Sequence, residues 1–183
     1  MIDRARQLPG GNATNVKWIV GRVEDVPLSQ AFSLALAAES FHWFDWDVLC
    51  PLLGRRVNSS LLVLIERCEV GSPWSSELRP LLARFSTNRD FRPYDLVHEL
   101  VARSCYFVHG RRTFGPDVVR QSVDDYITSI HSRNGFSRDR MTPEAALQFD
   151  QAVRACVVAH AKDDFLEVQA ETRAVWGQVR DPD

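Results

Sequence analysis

The chain has 183 residues, 45% hydrophobic and 25% charged, with a formal net charge of −2 at pH 7. That length suits one sizeable core, and no apolar run reaches the roughly 18 residues that span a bilayer. The slightly acidic balance offers no general attraction to a phosphate backbone, so neither a membrane span nor a nucleic-acid partner is expected.

The cysteines Cys50, Cys68, Cys105 and Cys156 lie far apart, without the close pairs of a zinc knuckle or dithiol centre. They read as buried hydrophobes, and no metal site is expected. Residues 1–11 are charged and unlike a secretory leader, which implies a cytoplasmic protein.

Residues 3–8 read as the tail of a helix stopped by Pro9-Gly10-Gly11. Val16-Lys17-Trp18-Ile19-Val20, closed by Gly21, predicts a mostly buried strand, and residues 33–38 a second one, with the acidic turn Glu24-Asp25 between them. A helix is predicted over 46–53. The unbroken, branched run Leu61-Leu62-Val63-Leu64-Ile65 predicts a central strand covered on both faces.

Residues 71–92, punctuated by Pro73 and Pro80, read as a connecting or lid-like segment. Within it Trp74, Leu78, Leu81, Leu82 and Phe85 recur at helical spacing, predicting a short helix over 77–85. A helix at 96–101 and a strand at 104–108 follow, then an apolar helical stripe of Val119, Val123, Tyr126, Ile127 and Ile130. Thr142-Pro143 opens a helix, because threonine caps free amides and proline loses nothing at the first helical position. That helix is expected to bury Phe149, Ala152, Val153, Cys156, Val157 and His160. Finally, Leu166, Val168, Ala170, Thr172, Ala174 and Trp176 alternate with Glu167, Gln169, Glu171 and Arg173, the pattern of a strand wet on one face. The whole predicts an α/β fold with a mostly parallel sheet and an antiparallel C-terminal strand.

Chemistry is expected beyond the carboxyl ends of the strands, where Glu39-Ser40-Phe41-His42-Trp43-Phe44-Asp45 follows the strand at 33–38. His42 could act as a general base oriented by Asp45, or equally as a structural residue that bonds a loop. Glu24 and Asp25 could accept bonds from a ligand's amino or hydroxyl groups, or be ordinary turn acids.

Several segments together carry a resemblance. They are Met1-Ile2-Asp3-Arg4-Ala5-Arg6, Gly21-Arg22-Val23-Glu24-Asp25-Val26-Pro27, the aromatic segment Ala38-Glu39-Ser40-Phe41-His42-Trp43-Phe44-Asp45, Arg56-Val57, the run 61–66, Tyr126-Ile127-Thr128-Ser129-Ile130-His131-Ser132-Arg133 and Val175-Trp176-Gly177. The chain resembles the later part of Rossmann-like S-adenosylmethionine-dependent methyltransferases of the type 11, trans-aconitate-methyltransferase-like branch. The resemblance implies a sheet order 3-2-1-4-5-7-6, of which this chain would hold an incomplete version lacking the first two strands. It implies one partial domain over 1–183, with core strands and post-strand loops at 11–70, substrate-side segments at 71–135 and a C-terminal helix and strand at 136–183.

The resemblance further implies S-adenosylmethionine as cofactor and a small-molecule methyl acceptor. Val23 would lie beside the adenine, with Arg22 standing where an acidic acceptor is common. Ala38, Glu39, Ser40 and Phe41 would line the methionine end, His42 would be the base, and Trp43, Tyr94, Tyr126, His131 and Arg133 would line the acceptor pocket. Two departures stand out. Asn58-Ser59-Ser60 replaces the usual Lys-Pro-Gly-Gly turn, and the GxGxG loop and the acidic-ended second strand would have to precede Met1, since Pro9-Gly10-Gly11 follows no strand. The isolated chain is therefore expected to hold cofactor poorly. An inactive methyltransferase-like interaction module and a truncated gene product are the competing readings, and the open edge of the strand at 33–38 would invite self-association.

Overall fold

The structure is a computed structural model that describes residues 2–26, 30–57, 60–90 and 94–180. Its main elements are α1 (Ile2–Arg6), β1 (Ala35–Ala38), α2 (Trp46–Arg56), β2 (Leu61–Glu69), α3 (Ser75–Phe85), α4 (Leu96–Ala102), β3 (Tyr106–Ser122), α5 (Val123–His131), α6 (Pro143–Val157) and β4 (Phe165–Val179). The Met1, Pro27 and Asn58-Ser59 portions of the segments quoted above, and Arg92, lie outside the described residues.

The four strands form an open sheet in the order β1-β2-β4-β3. Phe32 and Val57, just before β1 and β2, form a parallel bridge. Val179 N–H donates to Ser60 and Val70 N–H to Gln169, so β4 runs against β2. Arg180 N–H donates to Cys105, and Gly115 abuts Ala170, so β4 also runs against β3. The order is the one implied above for the fourth, fifth, seventh and sixth strands, with an antiparallel C-terminal strand. The fold is a mixed α/β, four-stranded open sheet.

The chain divides into two compact units, Met1–Leu64 with Leu96–Gly110 and Val175–Asp183, and Ile65–Asp95 with Arg111–Ala174. In the first, Leu49, Cys50 and Leu53 of α2 pack with Leu62 and Leu64 of β2, Leu96 and Leu100 of α4, Tyr106 and Val179. The Tyr106 hydroxyl donates towards the carbonyls of Leu62 (2.9 Å) and Val175 (3.3 Å), which satisfies its buried oxygen. Burial, with the Cys105 thiol nearby, pushes the Cys50 thiol up to about 12. It is inert packing rather than a thiolate nucleophile.

In the second unit, Val123, Tyr126, Ile127 and Ile130 of α5 meet Phe149, Val153 and Val157 of α6, together with Trp74, Leu78, Leu166 and Val168. Both helices begin as their sequences dictate: Ser122 Oγ accepts from Asp125 N–H and Thr142 Oγ1 from Ala145 N–H.

Several expectations are corrected. The buried strand expected at 16–20 is not formed; Val16, Trp18, Ile19 and Val20 are exposed, Val20 to 82%. No strand among the described residues lies beside it to supply ladder bonds, and the Trp18 indole N–H instead donates to Gly11 at 2.7 Å. The strand expected at 33–38 narrows to Ala35–Ala38. The strand expected at 104–108 continues to Ser122, so Val119 lies on β3 and only the later members of its stripe are helical. Trp74 and Leu78, expected in a connecting segment, are core residues, whereas His160 is exposed in the turn after α6 and Ala152 is only half-buried.

Candidate functional site

The aromatic segment leaves the carboxyl end of β1 through Glu39, whose φ of +49° is uncommon for a residue with a Cβ. It then winds into a 3₁₀ turn, Phe41–Trp43. Phe41 points into the first core and packs edge-on to Phe44, with ring centroids 5.9 Å apart. Its carbonyl accepts the Trp46 indole N–H at 2.9 Å. With Phe41 anchored at both ends, the turn leaves His42 and Trp43 exposed, their rings 4.8 Å apart. Trp43 is 59% exposed, an unusual position for so large an apolar surface.

Asp45 does not orient His42. Its carboxylate accepts from Asp47 N–H at 3.1 Å and caps α2, and no hydrogen bond reaches the His42 ring among the described residues. Glu24 has a partner within the fold. Glu24 Oε1 accepts the Asp45 amide at 2.9 Å, which joins the 22–26 turn to the start of α2. That amide, then Glu24's own amide, hold its carboxyl below the ordinary range, with Arg22 3.7 Å away adding a smaller contribution. Val23, beside it, packs against the first core. The Glu24–Asp45 bond spans 21 residues and left no local signal in the sequence.

Arg103 was not among the predicted site residues. Its guanidinium lies 5.1 Å from the Trp46 ring centroid and 3.7 Å from Asp47. It covers the indole that supports the aromatic turn.

Val23 and Ala38 to Trp43 thus belong to the first unit. The remaining predicted site residues belong to the second. There Tyr94 and Arg133 are exposed, while Tyr126 and His131 are buried. The Tyr126 hydroxyl accepts the Trp74 indole N–H at 2.9 Å and donates to the Glu69 carboxylate at 3.0 Å. His131 bonds to Phe136 and Asp150. Both side chains are therefore engaged in packing the second core. Among the described residues no cluster of His, Cys, Asp and Glu could hold a metal ion, and no helix is long and apolar enough to cross a membrane.

No family model matches the chain, and no curated protein does. Among solved structures it is similar to a candidate type II methyltransferase from Anaeromyxobacter dehalogenans, at 16% identity and a TM-score of 0.47, covering 80% of this chain and 63% of that one. This chain therefore spans less than two thirds of that protein's length. It is similar to a candidate methyltransferase from Bacillus halodurans C-125 at 12% identity and a TM-score of 0.49, covering 100% and 79% of the two chains. It is also similar to the MccD protein, at 15% identity and a TM-score of 0.43, with 97% and 73% covered. Similarity of this depth identifies neither an activity nor a ligand.

Proposed function

We propose that this chain serves methyl transfer from S-adenosylmethionine to a small-molecule acceptor in the cytoplasm. The observation that supports this reading is the turn Phe41–Trp43 at the carboxyl end of β1, which exposes an imidazole and an indole beside each other. Ligands of open α/β sheets bind at such strand ends.

The residues present fit that cofactor only in part. Ala38, Glu39, Ser40 and Phe41 offer backbone and apolar surface for its methionine end, and Val23 an apolar edge for the adenine. No GxG pattern occurs in the sequence. The Gly10-Gly11 pair follows α1 rather than a strand, and Gly11 is packed on the Ala5 carbonyl. No step is derived through the cofactor. What the chain's own residues supply is on the acceptor side, where His42 can take a proton from an acceptor O–H or N–H and Trp43 can shield an apolar acceptor from water.

Titration of the labelled chain with S-adenosylhomocysteine, read by amide chemical shifts, tests this. Binding no tighter than about 1 mM is expected, with shifts at Val23 and Ala38 to Trp43. Micromolar affinity would overturn the expectation that a chain with no GxG loop holds this cofactor weakly. Shifts absent from these residues at about 10 mM ligand, roughly tenfold above that limit, would overturn the methyl-transfer reading.

A second reading, an interaction module, is favoured by the contrast between the two sheet edges. Along β3 the edge carries Arg111, Arg112, Pro116 and Asp117, residues that discourage strand addition. The β1 edge is uncharged, with Leu34 and Leu36 exposed beside it. A sedimentation coefficient that rises with concentration, and stops rising in Leu36→Lys, is the outcome this reading requires.

A further inference from the structure

His131 ends α5 almost wholly buried and lies between two acceptors. Nδ1 is 2.6 Å from the Phe136 carbonyl oxygen, and Nε2 is 2.6 Å from Asp150 Oδ1. A carbonyl oxygen only accepts, so Nδ1 carries a hydrogen. The other Asp150 oxygen accepts from the Arg138 guanidinium at 2.9 Å, which favours the carboxylate, so Nε2 carries a hydrogen too. Only the imidazolium satisfies both contacts. Flipping the ring changes nothing, because both partners accept.

The charged groups around the ring come from three places. Asp150 faces it from α6, Arg138 stands behind Asp150 from the turn Arg138–Arg140, and Arg133 follows α5 on the exposed side. The turn Asn134–Phe136 contributes a carbonyl and no charge. The Phe149 ring closes the remaining side edge-on at 5.3 Å and stacks on Phe136. That same turn holds a further segment, since the Gly135 carbonyl accepts Thr87 N–H at 2.8 Å and Thr87 Oγ1 at 3.0 Å.

We propose that His131 is a proton-operated latch: as the imidazolium it closes the corner of α5, Asn134–Phe136 and α6, and with it residues 86–88, and it opens the corner on losing either ring proton. Neutral imidazole keeps only one N–H and turns a lone pair towards either the Phe136 carbonyl or the Asp150 carboxylate, so one of the two contacts is lost and the corner must part or rearrange. The two donated bonds, to Phe136 and to Asp150, exist together only while the ring holds both protons. Strong acid opens the latch from the other side. Burial opposes ionisation of Asp150, but the bonds from His131 and Arg138 outweigh it and hold the carboxyl below its ordinary range, so that part persists until Asp150 is protonated. The inference does not rest on the methyl-transfer reading.

Ring and amide nitrogen shifts of the full chain, followed between about pH 5 and 9 around the ordinary histidine range, test it. Both His131 ring nitrogens should be protonated at the acid end, and the amides of Thr87, Gly135 and Phe136 should move with the same midpoint as the ring. In Asp150→Asn the side-chain amide can donate to neutral Nε2, so these amides should lose that pH dependence. A neutral His131 ring with the corner amides unmoved would overturn the proposal, as would an unchanged transition in D150N. If D150N does not fold, the wild-type ring titration alone decides between these outcomes.

Discussion

The Glu24 carboxylate accepts the Asp45 amide at 2.9 Å and fastens the 22–26 turn to the helix that supports the exposed His42–Trp43 pair. Because the bond holds the carboxyl below its ordinary value, its contribution is complete at neutral pH and is lost as pH falls through the depressed folded-state value. The Asp45 amide proton should therefore shift in acid, below the ordinary glutamate range near about 4.3. In Glu24→Ala that shift should vanish, and a flat Asp45 titration in the wild type would contradict the assignment.

Tyr126→Phe removes the oxygen that joins Trp74 to Glu69. Trp74 is only 2% exposed, so its indole N–H is left buried without this partner. A loss of about 1–3 kcal/mol is expected, read from urea midpoints at constant m-value. A change near zero would mean that water or a side-chain shift replaces the hydroxyl.

Legibility in the sequence followed the range of the forces involved. The helices over α2, α3, α4 and α6 were readable because caps and 3.6-residue periodicity are local, as at Thr142. β4 was readable from its alternation down to Ala170, and Leu62 and Leu64 marked β2 as internal. By contrast, Trp18, Ile19 and Val20 have strand propensity without a neighbouring strand, and propensity cannot supply ladder partners. The length of β3 was hidden because residues 109–118 have little burial on either face to impose a period. The exposed turn at His42 was recognisable from composition, but the Glu24 bond and the Arg103 cover depend on contacts across long sequence separations. Tyr126 and His131 were assigned to the acceptor pocket through the resemblance, whereas their polar tips satisfy buried partners within the fold.

Gly177→Ala should be strongly disruptive although the change is a single methyl group. Gly177 is buried within β4, and a Cβ there would overlap the Phe107 carbonyl oxygen and crowd the Tyr106 ring. Backbone cannot yield as a flexible side chain can, so β3 and β4 must separate locally. Faster amide exchange at Phe107 and Val179 is expected, with a loss in the range of about 1–3 kcal/mol for overpacking. Gly10→Ala is the contrasting substitution: space is open around it, but its φ of +80° makes the cost one of backbone strain alone.

His42→Gln and Trp43→Ala separate a ligand surface from a structural one. Both side chains are exposed, and the turn is held by Phe41 and Trp46 rather than by them. Each variant should therefore unfold within about 0.5 kcal/mol of the wild type. Trp43→Ala should nevertheless reduce the S-adenosylhomocysteine-induced shifts, which a merely structural indole would alter only through stability. For His42 the decisive comparison is in an active methyltransferase that carries the same aromatic-His-Trp turn. There the glutamine variant should lower kcat by about 10²-fold or more for an acceptor that must lose a proton. Acceptors that are already anionic should be methylated at nearly the wild-type rate. Equal losses for both acceptor classes would assign the imidazole to positioning rather than proton transfer, and unchanged turnover for both would remove it from the site.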